Sequence, residues 1–182
     1  MAQAAARKAD MIFGIYYNDE RATYLDYVQP AFMFDEVVVF VAKGKAFTYK
    51  DENDLIGKKG ITNQGESYGN DFDAFIKDKL TVARADGIDA AFKELLAGNA
   101  DYLIAGYYSG LAEAAKEGVK YQVEALSPAI LEAEMFVAFS KKSPCASLAP
   151  GFSQGITEMT TDGRFDTMLQ DATSAWEAAQ KH

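Results

Sequence analysis

Two apolar segments that frame a complete α/β alternation are the feature that most constrains the fold of this chain. Residues 37–42 read Val-Val-Val-Phe-Val-Ala, and residues 135–140 read Met-Phe-Val-Ala-Phe-Ser. Continuous apolar runs of this length are typical of strands that are buried on both faces. Strand-like and helix-like segments alternate between them, which predicts a mostly parallel sheet with helices on its faces.

The alternation can be followed element by element. The predicted strands cover residues 60–63, 81–84, 101–106 and 119–126. The predicted helices cover residues 70–80, 88–96 and 111–116. The second helix is the clearest, because its apolar residues recur at helical spacing and Gly98 follows as a stop signal. The predicted fold class is therefore α/β.

The two framing strands also predict a division into two lobes. Residues 1–42 and 135–182 are expected to form lobe 1, and residues 43–134 are expected to form lobe 2. Two connections that cross between two lobes make a hinge.

Charge and composition exclude several classes of partner. Lys and Arg total 18 against 27 Asp and Glu, which gives a formal net charge of -9. Nucleic acid is therefore not expected to bind. The longest apolar run, residues 37–42, is far shorter than the roughly 20 residues of a membrane helix. Cys145 and His182 are the only residues of their types, so no disulfide, metal site or cofactor is predicted.

A turn between a predicted strand and a predicted helix is the first candidate for a binding site. The turn covers residues 64–69 and is expected to expose Gly65, Glu66, Ser67 and Tyr68. These residues would lie beside the unpaired backbone N–H groups at the start of a helix. Such groups favour an anion.

A second candidate follows the short apolar run at residues 11–15. It contains Tyr16, Tyr17, Asn18 and Arg21 and lies at the carboxyl end of a predicted strand. Ligands bind at this end of the strands in open α/β sheets. A purely structural interpretation is also open, in which the tyrosines pack in the core and the arginine pairs with a surface acid.

Six short segments occur in a characteristic order over nearly the whole chain. They are Arg7-Lys8-Ala9-Asp10-Met11-Ile12, Asp19-Glu20-Arg21, Asp54-Leu55-Ile56-Gly57-Lys58, Gln64-Gly65-Glu66-Ser67, Leu96-Ala97-Gly98-Asn99-Ala100-Asp101 and Asp162-Gly163-Arg164-Phe165-Asp166. In this order they resemble the type II periplasmic solute-binding proteins, specifically the family 3 group that includes polar amino-acid binders. The resemblance implies a two-lobed α/β fold with mixed, mostly parallel sheets and two hinge strands.

The resemblance also implies a ligand and residues that contact it. Arg21 matches the family's carboxylate-binding arginine, and Ser67, with the N–H groups around Gly65, matches its partner loop. A small carboxylate or amino-acid-like ligand would then contact Arg21 on one lobe and the Ser67 loop on the other, which shifts the hinge towards closure. No cofactor is implied.

Three further features of the expected site concern its walls and its charges. Tyr16, Tyr17, Tyr68, Tyr107 and Tyr108 are candidates for apolar walls, although part of this set is expected to be core. Glu66 would turn outward, pair with Arg21 or meet a cationic group of the ligand. The aspartate that holds the ligand's ammonium in amino-acid binders is replaced by Gly106.

The resemblance also locates a departure in lobe 1. Family members begin with a further strand-helix-strand-helix stretch, and this chain starts after it. Lobe 1 is therefore expected to be incomplete. We expect either that the sequence is a fragment or that another chain completes lobe 1 through swapping or dimerisation, for example in a homodimer formed by swapping, because the strand at residues 11–15 would otherwise have an unsatisfied edge.

The role that the resemblance implies is that of an extracytoplasmic solute-binding protein of an ABC-type importer. The bound form would dock on a membrane permease. A periplasmic location is implied, although residues 1–8 lack the apolar core of a signal peptide.

Enzymatic and sensory roles are the alternatives. Residues 65–69 satisfy the G-x-S-x-G pattern of serine hydrolases, but that mechanism needs a histidine base, and the only histidine is the terminal His182. A dehydratase-type enzyme on the same fold would use Glu66 or Glu20 as general acid. A receptor sensor domain would use the same closure to signal. No catalytic residue is predicted.

Overall fold

The computed structural model describes residues 9–179, and they form two compact units. Unit 1 is drawn from Met1–Phe34 and Glu134–His182, and unit 2 is Asp35–Ala133. The chain passes from one unit to the other within two long strands, β3 (Met33–Ala42) and β8 (Leu131–Ser140). The first limit lies before the predicted one, because most of β3 pairs with strands of unit 2.

Unit 2 is built on a mixed sheet. β4 (Lys59–Asn63) lies parallel to both β5 (Thr81–Ala85) and β6 (Tyr102–Gly106). β3 pairs antiparallel with β6 and with β7 (Val123–Ala125). The parallel strands occur where the sequence alternates between strand and helix, because a parallel pair requires a crossover connection.

Three helices connect the strands of unit 2. α2 (Asn70–Lys79) joins β4 to β5, α3 (Ile88–Leu96) joins β5 to β6, and α4 (Tyr107–Lys116) follows β6. α4 begins earlier than predicted, because Gly106 is extended and leads directly from the strand into the helix. The predicted strand at residues 119–126 is shorter, since Lys120–Gln122 forms a turn of 3-10 helix before β7.

The core of unit 2 explains the order of these elements. Phe40 of β3 meets Phe92 of α3 edge to face, with ring centroids 5.7 Å apart. Ala91, Phe92 and Leu95 form the buried face of α3, as the helical spacing of its apolar residues predicts. Leu103, on β6, is fully buried in the same cluster. Burial of this face, at about 25 cal/mol per Å² of apolar surface, is what holds α3 on the sheet.

Unit 1 contains two strands that pair antiparallel with β8, namely β1 (Met11–Tyr16) and β2 (Leu25–Tyr27). The β1 register shifts around Gly14, whose φ of 80° places it in the left-handed region. This irregularity is a local bulge, for which glycine is suited.

The helices of unit 1 differ in length: the one near the start of the chain is short, and those near its end are long. α1 (Asp19–Ala22) is a single turn that follows β1. α5 (Ala149–Thr161) and α6 (Arg164–Ala179) follow β8. Within residues 9–179, no helix has the length and apolar character needed to cross a membrane.

Candidate functional site

The loop between β4 and α2 is the centre of the candidate site in unit 2. Gly65 and Gly69 have φ values of 81° and 102°, so both adopt a conformation that favours glycine. The backbone N–H of Gln64 donates to the carbonyl of Ala85 at 2.7 Å. The loop therefore starts at the carboxyl ends of two parallel strands, where ligands bind in α/β sheets.

Ser67 and the backbone of Tyr68 are held by a carboxylate of the same unit. The Ser67 hydroxyl donates to Oδ2 of Asp73, and the Tyr68 N–H donates to Oδ1 of Asp73 at 2.9 Å. Asp73 lies in the first turns of α2, where a negative charge is favourable. Two donors that the sequence assigns to a ligand anion are thus already bonded to an internal carboxylate.

Tyr68 lies in the core of unit 2, where its side chain is only 3% exposed. Its hydroxyl donates to the carbonyl of Ile104 at 2.8 Å and accepts from the Thr62 hydroxyl at 2.6 Å. Burial raises the pKa of this phenol well above its ordinary value. The structure therefore places Tyr68 as an anchor that ties the loop to β4 and β6, and not on the loop surface where the sequence predicts an apolar wall.

Glu66 and Arg84 bring opposite charges to the same loop. Nη1 of Arg84 donates to the carbonyls of Glu66 at 2.8 Å and of Asn63 at 3.4 Å. The half-buried Glu66 carboxylate accepts from Nδ2 of Asn63 at 3.5 Å. Asn63 is itself fixed, because its Oδ1 accepts from the N–H of Gly87 at 3.1 Å.

Sequence reasoning missed Arg84. The residue is exposed and lies next to the last residue of β5. A signal was present, because an arginine at the carboxyl end of a parallel strand lies at the edge where ligands bind.

Tyr107 is the first residue of α4 and follows directly on β6. It is half-buried against the core of unit 2, and its ring centroid lies 5.5 Å from that of the more exposed Tyr108. Gly106 ends the strand without a side chain. This end of β6 therefore offers aromatic surface and no carboxylate.

In unit 1, Arg21 is held at the carboxyl end of β1. Asn18 caps α1 by accepting from the Arg21 N–H at 2.7 Å. The Arg21 side chain is 5% exposed, and its Nη1 donates to the carbonyl of Tyr16 at 3.0 Å. Tyr16 is buried as well. The cap and the carbonyl together fix both the backbone and the guanidinium of this arginine.

Tyr17 and Tyr27 form an aromatic pair beside Arg21. Their ring centroids are 5.0 Å apart, and Tyr17 is 43% exposed. The hydroxyl of Tyr17 donates to Asp19 at 3.0 Å, which raises the pKa of Tyr17. Burial raises the pKa of Tyr27, and the positive charge of Arg21 opposes this shift. The charge of Arg21 thus acts on the neighbouring Tyr27.

The structure groups the predicted site residues by unit. Four of them, Tyr16, Tyr17, Asn18 and Arg21, lie at the end of β1 in unit 1. The others belong to unit 2, where Gly65, Glu66, Ser67 and Tyr68 share one loop and Tyr107 follows β6.

Two other kinds of site find no support in these contacts. Ser67 donates its hydroxyl to a carboxylate, which is not the histidine partner of a hydrolase nucleophile, and His182 lies outside the described residues. In the part of the chain that the structure describes, no group of His, Cys, Asp or Glu is arranged to hold a metal ion.

Unit 1 also contains an apolar cavity of about 500 Å³. Phe13, Phe34, Phe165 and Met168 are among the residues that line it, and Asp166 is the only charged one. Arg21 is not among the lining residues, so the cavity is distinct from the Arg21 site, and its apolar lining does not suit a carboxylate.

Comparison with known proteins places the fold. No protein-family model matches the chain, and no curated protein matches its sequence. Solved structures do match, among them the amino acid ABC transporter substrate-binding protein AbpA from Streptococcus pneumoniae bound to L-arginine. The TM-score is 0.72 at 22% identity, over 96% of this chain and 72% of AbpA.

Two further matches are a ligand-binding core and a sensor domain. The GluR0 ligand-binding core from Nostoc punctiforme in complex with L-glutamate has a TM-score of 0.71 at 20% identity, over 93% of this chain and 76% of that one. A histidine kinase sensor domain with similarity to periplasmic binding proteins has a TM-score of 0.73 at 17% identity, over 93% and 72%. The chain therefore has the α/β fold of type II periplasmic binding proteins, as predicted.

Proposed function

We propose that the chain is the extracytoplasmic solute-binding protein of an ABC-type importer and that it binds a small carboxylate or amino-acid-like ligand. The observation that carries the proposal is the placement of Arg21. A capped backbone and the bond from Nη1 to the Tyr16 carbonyl fix its guanidinium at the carboxyl end of β1. A planar guanidinium fixed in this way suits bidentate contact with a carboxylate.

The ligands of two similar structures and the residues around Arg21 both support an amino-acid-like ligand. AbpA is bound to L-arginine and the GluR0 core to L-glutamate, and these ligands share an α-carboxylate and an α-ammonium group. In this chain, Arg21 would take the carboxylate. Tyr17, which is 43% exposed in the same unit, would supply aromatic surface beside it.

The variant Arg21→Lys tests this proposal, because lysine keeps the charge and loses the planar fork. Loss of a charge-assisted contact of about 1.5–3 kcal/mol predicts an affinity loss of about 10- to 150-fold. Isothermal titration calorimetry with the amino acid that binds best measures the loss. Arg164→Lys is the control, because Arg164 is exposed and bonds only to the neighbouring Asp162 in the described contacts. Equal affinity for both variants would contradict the role of Arg21.

A permease and a periplasmic location belong to the same proposal. Both rest on the resemblance of the motifs to importer-associated proteins and on the similarity to AbpA. Import of the radiolabelled ligand by cells that carry this chain with its transporter, and its loss with Arg21→Lys, is the expected result. We further propose no enzymatic turnover, so the ligand should be recovered unchanged after prolonged incubation.

Self-association is the remaining part of the proposal. β1 is the terminal strand of its sheet, and its residue Phe13 is 60% exposed. An exposed strand edge is a template for pairing with another chain. Sedimentation velocity should show a dimer that Phe13→Lys converts to monomer, and a monomer at all concentrations would refute this part.

A receptor sensor domain is the second candidate, because one of the similar structures is a histidine kinase sensor domain. It shares the ligand chemistry and differs in what the bound form contacts. Co-purification with a kinase partner, in the absence of ligand import, would favour it.

A further inference from the structure

The carbonyl oxygen of Tyr16 is shared by two side chains of unit 1. Nη1 of Arg21 donates to it at 3.0 Å, and the hydroxyl of Tyr27 donates to it at 3.2 Å. A carbonyl oxygen has two lone pairs, so it can accept both bonds at once. The guanidinium of Arg21 and the phenol of Tyr27 are therefore joined through one backbone atom.

Tyr27 also contacts the other end of the turn that leads to Arg21. A backbone hydrogen bond from Asn18 reaches the Tyr27 phenol, and the side chain of Asn18 caps α1 by accepting from the Arg21 N–H at 2.7 Å. The hydroxyl thus bonds to Tyr16, which ends β1, and to Asn18, which caps α1. These two bonds tie the turn to β2, the strand that carries Tyr27.

The ring of Tyr27 is held by contacts that do not involve its hydroxyl. Its centroid lies 5.0 Å from that of Tyr17 and 5.5 Å from that of Phe136, which it meets edge to face. Phe136 is buried in the core of unit 1, and Tyr27 packs against the same cluster. Phenylalanine at position 27 would keep these ring contacts, so removing the hydroxyl separates the hydrogen bonds from the packing.

The phenol of Tyr27 is a neutral donor. Burial raises its pKa, and the positive charge of Arg21 and the bond from Asn18 oppose this shift only in part. The phenol therefore keeps its proton at neutral pH, and the guanidinium of Arg21 keeps its charge because arginine is not deprotonated in proteins. Both groups donate to the Tyr16 carbonyl, so the position of this carbonyl decides where Nη1 of Arg21 lies.

We propose that Tyr27 is a positioning residue, whose hydroxyl fixes the Tyr16 carbonyl and, through it, the orientation in which Arg21 receives a ligand carboxylate. This inference rests on the proposed function, in which Arg21 binds the carboxylate. Bidentate contact requires the plane of the guanidinium to match that of the carboxylate. An acceptor that is itself held in place keeps this plane fixed before binding, which lowers the cost of ordering the arginine.

Isothermal titration calorimetry on the full chain tests the inference with the unmodified chain, Tyr27→Phe, Arg21→Lys and the double variant. The probe is whichever of the standard amino acids binds the unmodified chain most tightly. Tyr27→Phe should weaken its binding about three- to tenfold, the range expected from one hydrogen bond. In the Arg21→Lys background the same change should cost less than about twofold, because the side chain that Tyr27 positions has been replaced.

Tyr24→Phe is the matched control. Tyr24 is half-buried and packs against the same cluster as Tyr27, and in the described contacts its hydroxyl takes no part in the bonds to the Tyr16 carbonyl. Tyr24→Phe should therefore bind the probe within about twofold of the unmodified chain.

The dependence on Arg21 separates positioning from a general effect on the fold. Equal losses for Tyr27→Phe in both backgrounds would overturn the inference, because the hydroxyl would then act independently of Arg21. A loss in Tyr27→Phe no larger than that in Tyr24→Phe would overturn it as well. If Arg21→Lys binds as tightly as the unmodified chain, or if no amino acid binds, the proposed function fails, and this inference with it.

Discussion

The hydrogen bonds of Asp73 give the sharpest prediction about the candidate loop. The glycine at position 69, the N-cap of α2, has no side chain to cap the helix, so the carboxylate of Asp73 supplies the bonds to Ser67 and Tyr68. Removing a helix-capping side chain costs about 0.5–2 kcal/mol, and removing the negative charge from the helix start adds about 0.3–1 kcal/mol. Asp73 is half-buried, so solvent screens part of the charge effect. We expect Asp73→Ala to lower the free energy of unfolding by about 1–2 kcal/mol.

Urea denaturation followed by far-ultraviolet circular dichroism measures this change. Asp71→Ala is the matched control, because Asp71 lies in the same first turn, is exposed and takes no part in the two capping bonds. Asp71→Ala should lower the free energy of unfolding by no more than about 1 kcal/mol, because it removes only a favourable interaction with the helix dipole. The double variant of Asp73 and Ser67 completes a thermodynamic cycle, in which a coupling energy of about 0.5–1.5 kcal/mol is expected for residues in contact.

A small difference between the two aspartates would refute the reasoning. If Asp73→Ala costs no more than Asp71→Ala, or if the coupling with Ser67 lies within about 0.3 kcal/mol of zero, the internal cap is not formed in solution. The start of α2 would then be open to a ligand anion.

Three further predictions concern the packing and the tyrosines. Gly60→Ala should lower the free energy of unfolding by about 1–3 kcal/mol, because the new Cβ would lie 2.5 Å from the ring of the buried Tyr102; an unchanged urea midpoint would contradict this. Tyr68→Phe should cost about 1–3 kcal/mol, since it leaves the carbonyl of Ile104 without its donor; a cost below about 0.5 kcal/mol would show that water replaces the hydroxyl. Burial raises the pKa of Tyr49 to about 12. The folded state therefore retains the phenol proton of Tyr49 more strongly than the unfolded state does. The free energy of unfolding should be unaffected well below pH 10 and should fall as the pH rises from about 10 to 12. Urea unfolding at several alkaline pH values, together with tyrosinate absorbance, measures this fall.

The sequence predicts the fold where the local hydrophobic pattern agrees with the burial of the residues in the structure. The apolar residues of α3, including Phe92 and Leu95, recur at helical spacing and face the core. The long strands β3 and β8 read as continuous apolar runs because their central residues are buried. The early start of α4 was not predicted, because Tyr107 and Tyr108 do not look like a helix start and nothing in the pattern marks the turn at Gly106.

The candidate site was predicted less completely than the fold. Loop 64–69 and Arg21 were identified from their positions at the ends of strands, a property that sequence order reveals. The hydrogen-bond partners of their side chains, however, depend on contacts that form only when the chain folds. In the sequence, Asp73 is one residue of the predicted helix 70–80 and Arg84 one residue of the predicted strand 81–84, and only the fold brings each to the loop.

Binding of an amino acid to the unmodified chain tests the central claim most directly. A thermal-unfolding series with L-glutamate, L-glutamine, L-arginine, keto acids and dicarboxylates should show a midpoint that rises with ligand concentration for at least one of them. At a concentration of about 100 times Kd, the ligand adds about 2.7 kcal/mol to the stability of the folded form. A midpoint that stays constant with every compound, confirmed by the absence of heat in calorimetric titrations, would contradict a solute-binding role for this chain.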